Sequence, residues 1–179
     1  MKHFVALSKS DIVSVGAGID YSRGVRNKEI CSMNKSRSVV RASKFRGLPL
    51  NIELDTGMTA SGKDPDGKPW EVTYKYPYGE IVRTEGEDKD PVDIYLGPNL
   101  KSDKVFVVHQ TTKEGKFDED KVFLGFGSSK AATKCYFDHG PKWGFGSLDS
   151  MDFKAFKNGY LASNRREGFK KSLIVIEKE

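Results

Sequence analysis

The residues best suited to chemistry lie in one acidic stretch, residues 85–98. Five of its side chains are carboxylates, and an apolar run follows them. Asp88, Asp90 and Asp93 are spaced by two and three residues, and Pro91 fixes the backbone φ angle directly after the second. Carboxylates this close repel one another, so a folded chain tolerates them only when they are solvated, protonated or neutralised by cations. The pattern favours Mg²⁺, which prefers oxygen ligands and is commonly held by one or two carboxylates together with substrate phosphates.

An acidic surface turn is the competing interpretation of the same stretch, and it would be the better one for an arbitrary pair of aspartates. Two features favour a site. Asp93 lies inside the apolar run 92–96, where a charge needs a partner. Lys121 and Arg83, on neighbouring predicted strands, could supply positive charge for phosphate.

Residues 88–94 resemble the D-x-D-P-x-D signature of soluble family I inorganic pyrophosphatases, and the wider sequence resembles the shorter, phage-associated pyrophosphatase-like domains. The matching segments are residues 47–53, 64–70, 78–81, 93–98, 105–110, 117–121 and 124–126. These landmarks follow one another in order over most of the chain from residue 47 onward. An ordered series is far more specific than the acidic motif alone.

The resemblance implies a Mg²⁺-dependent phosphoanhydride hydrolase whose substrate is pyrophosphate or a nucleotide phosphate. It implies a role for each matching residue: Asp88, Asp93, Glu53 and Glu119 as metal ligands, Asp90 as the catalytic carboxylate beside the attacking water, and Lys121 and Tyr78 as phosphate-binding groups. The neighbouring Asp118 and Asp120 receive no role.

The chain departs from the family pattern mainly in its cations. Lys89 stands between the first two aspartates, where the family commonly has Gly, and Ala60 stands where phage-type relatives commonly carry Arg. Soluble pyrophosphatases place a Tyr-Lys pair on their helix. In this chain no such pair is evident, and near residues 137–142 only Lys142 could take its place. Because phosphate-binding cations are fewer, a second hypothesis stays open: a phage virion component of the head, neck or tail that reuses the domain.

The positive charge of the chain is uneven. The 179 residues carry a net charge of +5, and residues 1–46 hold ten Lys or Arg against three acids. We therefore expect a basic N-terminal arm, residues 1–46, followed by the pyrophosphatase-like domain, residues 47–179. Such an arm suits an anionic surface or neighbouring virion proteins, and hence an oligomeric or assembled state, although a merely solvated tail has the same composition.

Alternating apolar residues and turn signals predict a mainly β domain. One such turn is expected at residues 64–67, where Pro presets φ and Gly accepts a positive φ. The strands are expected at residues 50–54, 70–76, 79–83, 92–96, 104–110, 121–126 and 173–176, with a possible edge strand within 35–44. Two short helices are expected at 130–139 and 151–157, the first capped by Ser128 or Ser129 and the second by Asp149 or Ser150. Hairpin connections between most strands favour a small barrel or a curled sheet. The resemblance implies a small antiparallel β-barrel of the pyrophosphatase type, related to OB barrels, with short helices outside it.

The remaining composition excludes a membrane-spanning role. Hydrophobic residues make up 37% of the chain and charged residues 31%. No apolar run approaches the roughly 20 residues that a membrane helix needs, and the N-terminus lacks the apolar core of a signal peptide. We expect the protein in the host cytoplasm or in the virion.

Overall fold

The computed structural model describes residues 38–64 and 66–164, so the predicted strand at 173–176 and most of the predicted arm lie outside it. Within the described residues the strands are β1 (Arg41–Phe45), β2 (Leu48–Leu54), β3 (Thr59–Lys63), β4 (Pro69–Thr73), β5 (Tyr78–Ile81), β6 (Asp93–Leu96), β7 (Lys104–Thr111), β8 (Phe117–Leu124) and β9 (Phe145–Asp152). The helices are α1 (Ser129–His139) and a C-terminal helical segment that runs through α2 (Phe153–Ala155), a π-helical turn (Phe156–Tyr160) and α3 (Leu161–Ser163). None of the helices in this part of the chain is long and apolar enough to cross a membrane.

Seven strands form one sheet in the order β1-β2-β5-β6-β8-β7-β9, and β3 and β4 form a separate hairpin. The predicted mainly β fold is confirmed. The predicted antiparallel barrel is corrected in two respects: within the described residues the sheet does not close and has β1 and β9 at its two ends, and β6 and β8 are parallel. The parallel pair arises because β8 turns back from β7 and inserts between β7 and β6.

Both faces of the sheet are covered. On one face Ile94, Val107 and Val122 pack in a cluster with Phe156 and Leu161 of the C-terminal helical segment. On the other face Tyr95, Val108 and Phe123 pack in a cluster with Tyr136 of α1. Because side chains alternate between the faces of a strand, residues 119, 121 and 123 of β8 share the α1 face, which places Glu119 and Lys121 beside the aromatic cluster.

The predicted edge strand is present as β1, which pairs with β2 at one end of the sheet. Its last residue, Phe45, is fully buried and lies with its ring 5.6 Å from that of Phe153. The final residues of the predicted arm therefore contribute to the sheet. The division of the chain into an arm and a domain stays a prediction.

The first predicted helix is confirmed, and the second is present but begins at Phe153, two residues later than predicted. Ser128 caps α1, since its Oγ accepts a hydrogen bond from the Ala131 amide at 3.2 Å. Residues 145–152 form β9 along β7 instead of starting a helix. Gly146 permits this pairing because a Cβ at that position would lie 2.6 Å from the His109 carbonyl oxygen. The helix begins only after Asp152, whose carboxylate accepts from the Ala155 amide at 2.7 Å.

Strand β3 was not predicted, whereas the turn that joins it to β4 was. The Gly67 amide donates to the Asp64 carbonyl at 2.8 Å, and Gly67 has a φ of +77°. A positive φ favours glycine, so Gly67 correctly indicated a turn at this position. Residues 59–63 gave no strand signal because Ser and Gly are poor strand formers.

Candidate active site

The acidic loop between β5 and β6 is held by its own hydrogen bonds. At its base, buried Thr84 donates from Oγ1 to the Ile81 carbonyl at 2.7 Å and accepts from the Val92 amide at 3.0 Å. Within the loop, the Asp90 amide donates to Asp88 Oδ1 at 3.0 Å. This hydrogen bond fixes the Asp88 carboxylate against the backbone of Asp90.

Asp93 begins β6 directly after the loop and is only 7% exposed. Its Oδ2 accepts hydrogen bonds from the Tyr78 hydroxyl and from Lys121 Nζ, each at 2.5 Å. Lys121 is its register partner on the parallel neighbour β8. Lys121 on the adjacent strand is therefore the charged partner that Asp93 needs inside the apolar run.

Glu119 is held from two sides. Lys121 Nζ lies 3.0 Å from its Oε2, and Gln110 Nε2 donates to its Oε1 at 3.1 Å. Gln110 in turn accepts at Oε1 from the Tyr136 hydroxyl of α1 at 3.1 Å. Because Gln110 faces Glu119 across the β7–β8 hairpin, the hairpin register sets this contact.

The ionisation of the cluster follows from burial and charge. Burial acts to lower the pKa of Lys121, but the neighbouring Asp93, Tyr78 and Glu119 outweigh it, and the net pKa is well above its usual value. Burial, followed by the charge of Asp93, raises the pKa of Tyr78 well above its usual range. At neutral pH Lys121 is therefore a cation and Tyr78 a neutral hydrogen-bond donor.

Asp120, to which the sequence assigned no role, is anchored in the same region. His109 Nδ1 lies 2.6 Å from its Oδ1, and the Tyr160 hydroxyl donates to its Oδ2 at 2.7 Å. His109 Nε2 lies 3.3 Å from Asp149. The predicted hairpin could have indicated the His109 contact, since the two residues face one another across it. Tyr160 gave no signal because it lies beyond the predicted end of the second helix.

These elements enclose an acidic cleft of about 500 Å³. Its lining residues are Glu85, Gly86, Glu87, Asp88, Lys89, Pro91, Val92, Asp93, Phe117, Glu119, Asp120, Tyr160, Ser163 and Asn164. Six of these side chains are carboxylates and one is a lysine. The Glu85 amide donates to the Asn164 carbonyl at 2.8 Å, which ties the acidic loop to the C-terminal helical segment.

The structure brings together most of the residues named from the sequence. Asp88, Asp93 and Glu119 line the cleft, and Tyr78 and Lys121 contact Asp93. Asp90 and Glu53 are not among the lining residues.

Glu53 lies at an irregularity of β2. Its neighbours Ile52 and Leu54 pair with Gly79 and Tyr78, which are consecutive, so Glu53 is an extra residue in the ladder beside Tyr78. A Cβ on Gly79 would lie 1.9 Å from the Asn51 carbonyl oxygen. Glycine is therefore required for the two strands to approach, and bulges of this kind are common next to active sites.

The two cations of the loop, Lys89 and Arg83, are both exposed. The side chain of Lys89 is 82% exposed and lies 3.7 Å from Glu85, so this residue points to solvent. Arg83 is exposed in the turn after β5, with a φ of +68°, and is not a lining residue.

A family model described as Inorganic Pyrophosphatase matches residues 33–160. The chain belongs to the inorganic pyrophosphatase family. The match includes the acidic loop, β8 and Tyr160, and thus nearly the whole lining of the cleft. A search of curated proteins finds no match.

Members of the pyrophosphatase family typically use Mg²⁺, and the donors in this cleft fit that ion in chemical kind. They are carboxylate oxygens, and they greatly outnumber the cations of the lining. Across residues 38–64 and 66–164, no three His, Cys, Asp or Glu side chains lie close enough to hold a metal ion by themselves. Mg²⁺ commonly keeps several waters and takes part of its ligands from substrate phosphates.

Proposed function

We propose that the protein is a Mg²⁺-dependent phosphoanhydride hydrolase that acts on inorganic pyrophosphate, the substrate its family implies, or on a nucleotide phosphate. The observation that carries the proposal is the buried cluster of Tyr78, Asp93, Lys121 and Glu119, which joins an acidic cleft large enough for a diphosphate. The resemblance to phage-associated domains leads us to propose a phage-encoded enzyme of the host cytoplasm.

Asp88, Asp93 and Glu119 are the residues that would hold the metal, with Glu53 as a further candidate. When bound, Mg²⁺ would neutralise phosphoryl charge and lower the pKa of a coordinated water. Hydrolysis of a phosphoanhydride depends mainly on positioning and on electrostatic stabilisation, which are the tasks left to the side chains.

Lys121 supplies positive charge to the phosphate oxygens. Its high pKa keeps the ammonium group protonated, and its two carboxylate contacts hold it in one place. Tyr78 retains its proton for the same range of pH. In the described structure that single proton is donated to Asp93, and we propose that with a ligand bound the hydroxyl donates it to phosphate instead.

Asp90 is proposed as the carboxylate that orients the attacking water and accepts its proton. Its support is the family resemblance together with the hydrogen bond that fixes its backbone to Asp88. General-base catalysis contributes about 10²- to 10⁴-fold to a rate, so this residue can be tested directly.

The test is phosphate release from pyrophosphate, ADP and ATP with Mg²⁺ and with EDTA. We expect release that requires Mg²⁺, and a loss of about 10²- to 10⁴-fold in Asp90→Asn. Asp66→Asn is a matched control because Asp66 is exposed, pairs with Lys113 and lies outside the cleft lining.

A folded protein that releases no phosphate from any of these substrates would contradict the proposal. That result would favour the virion component, which predicts instead that deletion of residues 1–46 abolishes particle assembly.

A further inference from the structure

We propose that the cleft binds a nucleoside di- or triphosphate with its base stacked on Phe117, and that Phe117 makes the protein prefer nucleotides to free diphosphate. The inference rests on the proposed function and names its substrate class.

Phe117 presents an exposed aromatic ring in a lining that is otherwise mostly polar. The residue begins β8, is 45% exposed and lines the cleft. The other exposed phenylalanine of the described chain, Phe137, has its ring 5.1 Å from that of Phe145. Within the same part of the chain, no aromatic ring or cation packs against the ring of Phe117. Its face is therefore available to the flat ring of a ligand, which is a favourable partner for an aromatic side chain.

The position of Phe117 along β8 sets the length of a ligand that reaches it from the phosphate-binding group. Phe117 lies four residues before Lys121 on this strand. At about 3.3 Å per residue, the two Cα atoms are up to roughly 13 Å apart. A diphosphate held at Lys121 is too short to cover this distance, whereas a nucleotide carries a ribose and a base beyond its phosphates.

A β-bulge separates Phe117 from the acids of the site. Gln110 pairs with Glu119 and the next residue, Thr111, pairs with Phe117, so Asp118 is an extra residue on β8. Gln110 Nε2 donates to Asp118 Oδ2 and to Glu119 Oε1, each at 3.1 Å. Bulges re-aim side chains and are common next to active sites. This bulge therefore sets the direction of Phe117 relative to Glu119.

The size and charge of the cleft fit a nucleotide better than a diphosphate. Its volume of about 500 Å³ lies within the range of roughly 300–1,000 Å³ that is typical of sites for small organic ligands and cofactors. Glu85 and Glu87 add negative charge to the lining, while Lys89 points to solvent. These carboxylates repel phosphate, but they accept hydrogen bonds from the hydroxyls of a ribose and the amino group of a base.

The reaction is hydrolysis of the terminal phosphoanhydride and needs no co-reactant besides water. For ADP, the water oxygen forms a bond to the β-phosphorus while the bond from that phosphorus to the bridging oxygen breaks. AMP leaves with the bridging oxygen, and the β-phosphoryl group leaves as inorganic phosphate. One proton of the water passes to Asp90 and then to solvent.

The first experiment measures binding to the full chain by calorimetry, in one buffer that contains Mg²⁺. The two ligands are methylenediphosphonate and α,β-methylene-ADP, which resist hydrolysis and differ by the adenosine group. We expect the wild type to bind α,β-methylene-ADP at least about tenfold more tightly, equivalent to about 1.4 kcal/mol, which lies within the effect of one base stacked on an aromatic side chain. Equal affinities for the two ligands would overturn the inference.

The second experiment repeats both titrations with Phe117→Ala, Phe117→Tyr and Phe137→Ala. We expect Phe117→Ala to lose the preference for α,β-methylene-ADP by about tenfold, and Phe117→Tyr to keep it because the ring is retained. Phe137→Ala is the matched control, since Phe137 is 42% exposed and is not a lining residue. If Phe117→Ala keeps the preference, or if Phe137→Ala loses it to the same extent, the inference is wrong.

Phosphate release separates this inference from the proposed function. The ratio of kcat/KM for ADP to kcat/KM for pyrophosphate should fall about tenfold in Phe117→Ala. A protein that hydrolyses pyrophosphate but neither ADP nor ATP would keep the proposed function and lose the role of Phe117. Binding of α,β-methylene-ADP that depends on Phe117, without release from any substrate, would keep the nucleotide site and exclude the enzyme.

Discussion

Two groups of carboxylates meet in the cleft, and the protein holds them by different means. Asp88 is fixed within the acidic loop, where its Oδ1 accepts a hydrogen bond from the Asp90 amide. The side chains of Asp93, Glu119 and Asp120 are instead fixed by partners from other strands and from the helices. The loop acids depend on contacts a few residues apart, and the sheet acids depend on contacts up to 40 residues apart.

This difference predicts which carboxylates contribute to the stability of the fold and which contribute mainly to ligand binding. A carboxylate whose charge is neutralised by a buried partner contributes to folding, because removal of one member leaves the other buried and unpaired. A solvated loop carboxylate has little influence on folding, so it can engage a ligand at small structural cost. Substitutions that keep shape and remove charge can test the distinction.

The largest effect is expected for Asp93→Asn. The substitution leaves Lys121 with Glu119 as its remaining acidic partner, and we expect a loss of about 3 kcal/mol in the free energy of unfolding. Asp88→Asn is the matched loop substitution; an Asn side chain still accepts from the Asp90 amide, so we expect a change within about 0.5 kcal/mol. Urea unfolding measures both. Equal effects would remove the distinction between loop and sheet acids.

A smaller effect is expected for Tyr136→Phe, which removes the hydroxyl that donates to Gln110. Gln110 then orients Glu119 less firmly, and stability should fall by about 1 kcal/mol. Tyr76→Phe is the control, because the Tyr76 ring packs against Phe126 at 5.1 Å on the same side of the sheet and the described structure gives its hydroxyl no hydrogen bond. If both substitutions cost the same, Gln110 does not connect α1 to the site.

The smallest effect concerns pH. Burial acts to lower the pKa of His109, but its contacts with Asp120 and Asp149 outweigh burial, and the folded pKa is raised. A raised pKa means that the protonated histidine stabilises the fold fully below the unfolded pKa of about 6.5. This contribution is lost as the pH rises through the folded pKa. Thermal unfolding is measured between pH 5 and pH 9 in steps of about one pH unit. The stability of the wild type should decline as the pH rises, and His109→Gln should show a flatter profile. An identical decline in both proteins would assign it to another group.

The loop acids could be predicted from the sequence, whereas the contacts of the sheet acids could not. The acidic loop could be found directly because its residue types and the proline are adjacent in the chain. Most strands and the Ser128 cap were also predictable, since alternation and capping depend on near neighbours. The resemblance carried by the same local segments was confirmed by the family match.

The family, the mainly β composition and the identity of the acids all followed from local residue patterns. The cation that each acid meets depends on how distant segments pack together. Lys121 contacts Asp93 because β8 inserts beside β6 in a parallel register, and residues 145–152 form a strand because β7 offers them a pairing edge. Tyr160 reaches Asp120 only after the helical segment has packed against the sheet. Pairing between distant segments depends on the whole packed chain, so no local pattern of residues specifies it.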